Sequence, residues 1–343
     1  MGNPSSALRN TGGTLRNTGA AFVLLCGLAA IPRLAAAQEP GQVRLGHNRA
    51  WGNPALLIEI TQGYAKSAGV TVTEKEFNNP ADIVQAIATG DLDAGVCPSG
   101  VLLTAVQNGV KVKAVAVAQG SHNPPVAYMV RADSSINSVA DLRGKTAGIA
   151  GFGGTGDLYL RYWLTKAGLN PKTDLKITFV PFHLTMSALI NKQIDIGLID
   201  SVLGVRLQQQ FPGQTKTLFT YVDVTRDAIK STDTNALLLV FGTTFAERDR
   251  QTAVRFLEGY LRAIQEVRTD PKKALNDWAE ASKTDAIRML QAPVTLPADG
   301  KVYLDAFQFE ADMALKFGYL KQPMKVQSAV DNSLIEEAAA HIK

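Results

Sequence analysis

Cysteine is nearly absent from this 343-residue chain, which carries only Cys26 and Cys97. Cys26 falls in an N-terminal leader, so the rest of the chain has no pair to form an internal disulfide and must rely on packing. Histidine is scarce too. His47, His122, His183 and His341 show none of the short spacings of metal-binding pairs, so no metal or other cofactor is expected. No G-x-S-x-G elbow occurs, and Cys97 lacks a catalytic signature. A lone cysteine reads as a small buried residue. These absences argue against an enzyme. Charge of one sign is missing as well. The leader holds three arginines and no acids, which leaves 32 basic residues against 31 acidic ones, so no nucleic-acid footprint is expected.

What is present begins with that leader. Arg9 and Arg16 precede an uncharged apolar run from Ala20 to Ile31, and Ala35-Ala36-Ala37 offers the small-x-small pattern of a cleavage site. The run is shorter than the ~20 residues of a membrane span and is closed by Pro32-Arg33. Cys26 follows Val23-Leu24-Leu25 and lacks the small residue that a lipid-anchoring site requires before its cysteine. Residues 1–37 are therefore expected to be a signal peptide, and the remaining 306 residues a soluble periplasmic protein.

Two stretches of that remainder repeat one pattern. The first runs strand Val43–Gly46, helix Pro54–Ala68, strand Val70–Phe77, helix Ala81–Thr89, then Asp93-Ala94-Gly95-Val96. The second runs strand Thr146–Ala150, helix Asp157–Ala167, strand Leu175–Val180, helix Thr185–Asn191, then Asp195-Ile196-Gly197-Leu198. Gly46 and Gly148, Phe77 and Phe179, and Asp93 and Asp195 are each 102 positions apart. One offset at three places implies two lobes of βαβαβ design. Short apolar strands between amphipathic helices predict a parallel sheet in each lobe, with ligands bound beyond the carboxyl ends of the strands.

Val126–Val130 reads as the strand leaving the first lobe and Asn235–Phe241 as the strand returning to it. The expected division is residues 38–127 plus 236–343 for one lobe and 128–235 for the other. Beyond Thr243 the pattern is helical. A helix capped by Thr243 or Thr244 would show Ala253, Phe256, Leu257, Tyr260, Leu261 and Ile264 on its apolar face. Further helices are expected around 273–280, 301–317 and 328–342, packed behind the first lobe.

The segments VRLGH, DIVQAIATGDLDAGV, NGVKVKAVAV, SVADLRGKTAGIAGFGGTG, ALINKQIDIGLID and RFLEGYLRAIQEV, in that order, resemble the sulfonate/nitrate/taurine solute-binding proteins of ABC importers. That group also includes binders of thiamine pyrimidine precursors. The resemblance implies an α/β, type II periplasmic-binding-protein fold, two βαβ lobes with a hinged cleft. It also implies a monomer that captures a small-molecule ligand and presents it to an ABC permease in the inner membrane. Many members follow the second Asp-Ala motif with a tryptophan, an acid and a proline. Here Asp200, Ser201 and Val202 stand there, so the family's ligand does not carry over.

Candidate ligand-binding residues follow from the strand ends. Gly151-Phe152-Gly153-Gly154-Thr155-Gly156 matches G-x-G-x-x-G literally, but no acid ends the next strand, where Val180-Pro181-Phe182 stands. Gly153, Gly154 and Thr155 at a helix start would instead hold an anionic group with backbone amides, or Thr155 would simply cap the helix. In the other lobe, His47, Asn48, Trp51 and Asn53 gather in the loop after the first strand. The asparagines offer donors to an acidic group, and the rings offer stacking or core packing. Arg49 there is an anion clamp or a solvated cation. Asn78 and Asn79 end the second strand, Asn79 also as a helix cap. Ser99 follows the third strand as both cap and ligand donor. Phe182 and His183 occupy the place of Asn78-Asn79 in the second lobe, and Asp200 either faces the cleft or caps a helix.

The reading is a clamshell binder of a small organic anion, a sulfonate, carboxylate or similar. The rings favour something larger than nitrate. A binding protein for a chemoreceptor or sensor kinase would look the same, and an enzyme on this fold is the remote alternative.

Overall fold

A computed structural model describes residues 41–47, 53–120, 126–290 and 296–342. The expected leader, Asn48, Arg49, Trp51 and His122 lie outside the described residues. The first run of elements is β1 (Gly41–His47), α1 (Pro54–Thr61), α2 (Tyr64–Ser67), β2 (Val70–Glu76), α3 (Pro80–Thr89), β3 (Ala94–Cys97) and α4 (Ser99–Gln107). Next come β4 (Val112–Gln119) and β5 (Ala127–Arg131). The second run is β6 (Thr146–Ile149), α5 (Thr155–Lys166), β7 (Lys176–Phe179), α6 (Thr185–Ile190), β8 (Ile196–Ile199) and α7 (Ser201–Gln210). After it stand β9 (Thr215–Thr220), α8 (Tyr221–Ile229) and β10 (Leu237–Gly242). The chain ends in helices: α9 (Thr243–Arg248), α10 (Arg250–Thr269), α11 (Pro271–Ser282), α12 (Leu304–Lys316) and α13 (Ser333–His341).

The strands form two five-stranded sheets, ordered β2-β1-β3-β10-β4 and β7-β6-β8-β5-β9. The repeat is visible in their register. Leu45 and Gly46 pair with Ala94 and Gly95, and Ala147 and Gly148 pair with Ile196 and Gly197, each residue 102 positions from its counterpart. The glycines have a reason to recur. A Cβ on Gly46 would lie 2.5 Å from Leu92, and one on Gly148 would lie 2.7 Å from Ile194, so a helix-side leucine or isoleucine fills the space that glycine leaves. The central strands β3, β8 and β10 are buried throughout, as a sheet covered on both faces requires.

Both sheets are mixed, where parallel ones were expected. β10 runs antiparallel to β3 and β4, and β5 runs antiparallel to β8 and β9. These are the strands on which the chain arrives from the other sheet, so each enters at the carboxyl edge where its neighbours end. The helix expected from Thr243 is also broken. Asp249 interrupts it, and its carboxylate accepts the Thr252 amide at 3.2 Å to cap α10 afresh. The forecast apolar face of α10 is buried, and this helix lies against α1, α2, α11 and α13. α12 does not sit behind one sheet only. It touches α4 from the first run and both α5 and α8 from the second. No described helix is long and apolar enough to cross a membrane.

Candidate functional site

The carboxyl ends of β1 and β3 open into α1 and α4, and the carboxyl end of β6 opens into α5. Helix starts are rich in unpaired amides, so two of them facing each other make a polar junction. Here α4 and α5 meet directly. The Ser99 and Thr155 hydroxyls are 3.0 Å apart, and both side chains are buried. The approach is close because position 100 is glycine: a Cβ there would stand 1.8 Å from the Gly153 carbonyl oxygen. Neither hydroxyl caps its helix. Pro98 and Gly154 hold the cap positions, and Ser99 and Thr155 are the first helical residues, which frees both for contact across the junction. This corrects the expectation of Ser99 as a cap.

The glycine-rich turn is organised by an acid. The Gly153 amide donates to Asp157 Oδ2 at 2.9 Å, and Gly153 itself has a φ of 73°, which suits glycine. Arg161 Nε donates to Asp157 Oδ1 at 2.7 Å, and the Tyr319 hydroxyl donates to Asp157 Oδ2 at 2.5 Å. One amide of the expected anion nest is therefore already taken by a carboxylate of the chain itself. Gly154 and Thr155 stay at the junction.

Behind Ser99 lies Glu310 of α12, fully buried. Its Oε1 accepts the Tyr159 hydroxyl at 2.9 Å, and its Oε2 has no hydrogen-bond partner. Burial raises its pKa to about 8, partly opposed by the hydroxyls of Ser99 and Tyr159. Glu310 is thus largely neutral near pH 7. Sequence reading missed it because its partners are far away in the chain. The available signal was an acid among the buried apolar residues Phe307, Phe309, Ala311 and Ala314 of one amphipathic helix.

The remaining candidates divide. Asp200 caps α7, accepting the Leu203 amide at 2.7 Å, and burial raises its pKa to about 6. Asn53 is buried beside Pro54 with neither side-chain polar atom paired, and it does not cap its helix. His47 is buried at the end of β1, with Nε2 2.7 Å from Glu74 Oε2 and Nδ1 without a partner. Asn78 is exposed, and Asn79 caps α3 through the Ala81 amide at 3.1 Å. Phe182 is half-buried against the core and His183 is exposed. Asn78, Asn79, Phe182 and His183 make no hydrogen bond to Ser99 or Thr155. Asn48 and Trp51 lie outside the described residues. Cys97 is buried and its thiol is pushed up to about 12, which leaves it protonated and inert as a nucleophile. Among the described residues no group of His, Cys, Asp or Glu is placed to hold a metal. A separate cavity of about 350 Å³ opens at the other end of the first sheet, lined by Arg44, Asp93, Lys111 and Arg248 among others.

Known proteins place this architecture. The family described as NMT1/THI5 like matches residues 54–274. The chain is similar to the periplasmic aliphatic sulphonate-binding protein SsuA of Escherichia coli, with a TM-score of 0.68 at 18% identity over 85% of this chain and 92% of that one. It is similar also to the periplasmic nitrate-binding protein NrtA of Synechocystis PCC 6803, with a TM-score of 0.72 at 14% identity over 89% and 90%. A nitrate/nitrite binding protein, NrtA, of Nostoc is 43% identical over 49 residues, which span 14% of this chain and 11% of that protein. The two structural likenesses establish the periplasmic-binding-protein fold.

Proposed function

Because the chain belongs to the NMT1/THI5-like family, we propose that it is an exported, monomeric solute-binding protein that traps a small organic solute between its two sheets and delivers it to an ABC permease. The division into lobes at residues 38–127 with 236–343 and at 128–235 is part of this reading. So is removal of residues 1–37 on export to the periplasm. The observation that carries it is the junction of α4 and α5. Helix starts from the two different sheets present the Ser99 and Thr155 hydroxyls 3.0 Å apart. A solute wedged between them would touch both sheets at once, and only contacts made to both can favour a closed state over an open one. Hydroxyls and first-turn amides offer donors, which suits the acidic group of a sulfonate or carboxylate.

The test is a thermal-shift screen of residues 38–343 against butane-1-sulfonate, butyrate, nitrate and pyrimidines. A solute that binds only the folded protein adds about 2.7 kcal/mol of stability at a hundredfold excess over Kd. A rise with one class supports the reading and names the class. No rise with any probe speaks against it.

A further inference from the structure

The buried carboxyl group of Glu310 lies behind the two hydroxyls proposed to meet the solute. It is fully buried, pairs with no cation among the described residues, and belongs to α12, which touches α4 on one side of the junction and α5 and α8 on the other. It sits on an otherwise apolar buried face, and the polar groups beside it are hydroxyls. From α5 it faces Tyr159, whose hydroxyl donates to Oε1 at 2.9 Å, with the Asp157–Arg161 ion pair flanking Tyr159 on the same helix. From α8 the nearby titratable group is Tyr221. From α4 it meets only Ser99, since that helix holds no titratable side chain.

We propose that Glu310 is a positioning residue that sets the direction of the Glu310–Ser99–Thr155 hydroxyl chain, and so decides whether the junction offers donors or acceptors to the solute. When neutral, the carboxyl group accepts from Tyr159 on Oε1 and gives its own proton to Ser99. The Ser99 hydroxyl then donates onward, either to the solute itself or to Thr155, whose own hydrogen is then the one presented to the solute. When ionised, it has no proton to give. Ser99 then donates inward to the carboxylate, Thr155 donates to Ser99, and the cleft meets oxygen lone pairs with a negative charge behind them. A neutral acid here does the work of a cation in holding an acidic solute, and it does so only while it keeps its proton. Oε2 is buried and without a hydrogen-bond partner, so it is the oxygen free to carry the proton and turn it to Ser99. Asp200 titrates near 6, on the acid side of Glu310, and the buried tyrosines are raised above their ordinary value, so neither obscures the same window.

This inference rests on the reading that the solute sits at the junction, and the experiment separates the two. Calorimetry measures Kd for whichever of butane-1-sulfonate, butyrate or nitrate raises the melting temperature. It covers about pH 6 to pH 9.5, in the wild type and in Glu310→Gln, whose amide is a permanent neutral donor. In the wild type, affinity should be level at the acid end and fall about tenfold per pH unit above the Glu310 titration, while Glu310→Gln gives a flat profile. A level wild-type profile, or the same slope in Glu310→Gln, overturns the positioning role and leaves solute capture standing. No binding of any of the three by the wild type at about pH 6 overturns the junction as an acid-binding site, and this role with it. If Glu310→Gln does not fold, the wild-type slope alone decides.

Discussion

At equivalent places 102 residues apart, the first repeat puts Asp93 under two arginines, and the second, among the described residues, puts Asp195 under none. Both carboxylates do the same backbone work. Asp93 accepts the Arg44 amide at 3.0 Å, and Asp195 accepts the Thr146 amide at 2.8 Å. Only Asp93 also takes the Arg44 guanidinium, at 2.8 Å on each of its two oxygens, with Arg248 3.5 Å away. The helices after the first strand of each repeat differ in the same manner. Glu59 in α1 and Arg161 in α5 are counterparts, and both are buried. Arg161 is paired with Asp157 and lies over the Tyr319 ring, whereas neither oxygen of Glu59 has a partner. The backbone frame is therefore common to the two repeats, and the polar groups set on it are not. In the second repeat they fasten the turn at the junction to the C-terminal segment. In the first, Asp93 also meets Arg248 of α9, and Glu59 lies against α10, where Gly259 makes room for it: a Cβ there would stand 2.8 Å from Oε1.

Exchanging or removing the groups in which the two repeats differ is the direct way to break this comparison. The largest effect is expected from Gly100→Val, since the counterpart of Gly100 is Val202. The added Cβ would meet the Gly153 carbonyl, so the junction cannot close, and calorimetry should show affinity reduced by at least ~100-fold, about 2.7 kcal/mol. Next is Arg161→Met, which strands a buried Asp157 and should cost about 3 kcal/mol in urea unfolding. Its counterpart, Glu59→Leu, should act in the opposite direction, stabilising by about 2 kcal/mol near neutral pH.

The sign for Glu59 follows from its raised pKa. The folded protein holds the proton more tightly than the unfolded chain, so this group's contribution is fully present below the ordinary value of 4.5 and is lost as pH rises through the folded value. The gain from Glu59→Leu should accordingly widen as pH rises above about 4.5. The smallest effect is expected from Arg44→Thr, the residue of the second repeat. Half-exposed Arg44 holds a carboxylate that keeps its backbone bonds and Arg248, so about 1 kcal/mol is expected. The Asp93 pKa is lowered, chiefly by its bonds to Arg44, which outweigh the opposing effect of burial. The wild-type advantage is thus present above the ordinary value of 3.8 and is lost as pH falls through the folded one. Acid unfolding of the two proteins should converge at the low end.

The repeat was legible because spacing, glycines and Asp-x-Gly motifs are local and periodic, and the strand register reproduces the offset residue for residue. The direction of β5 and β10 was not, because it depends on which edge the chain enters after crossing from the other sheet. Ser99 and Thr155 were singled out from their places after strands, and the structure brings their hydroxyls together, although Pro98 and Gly154 take the cap positions assigned to them. Glu310 and Tyr319 were invisible from local pattern. Their partners, Tyr159 and Asp157, lie 151 and 162 positions away, and no spacing rule joins them. The helix forecast behind the first lobe spans the junction instead, for the same reason: its apolar face does not say which of two cores it covers.

The central claim is that Ser99 and Thr155 meet across the junction in order to hold a solute. Calorimetric titration of the solute found by thermal shift into the Ser99→Val/Thr155→Val double variant tests it most directly. No measurable heat of binding is expected from a protein whose unfolding transition and circular dichroism match the wild type. An affinity equal to that of the wild type would contradict it.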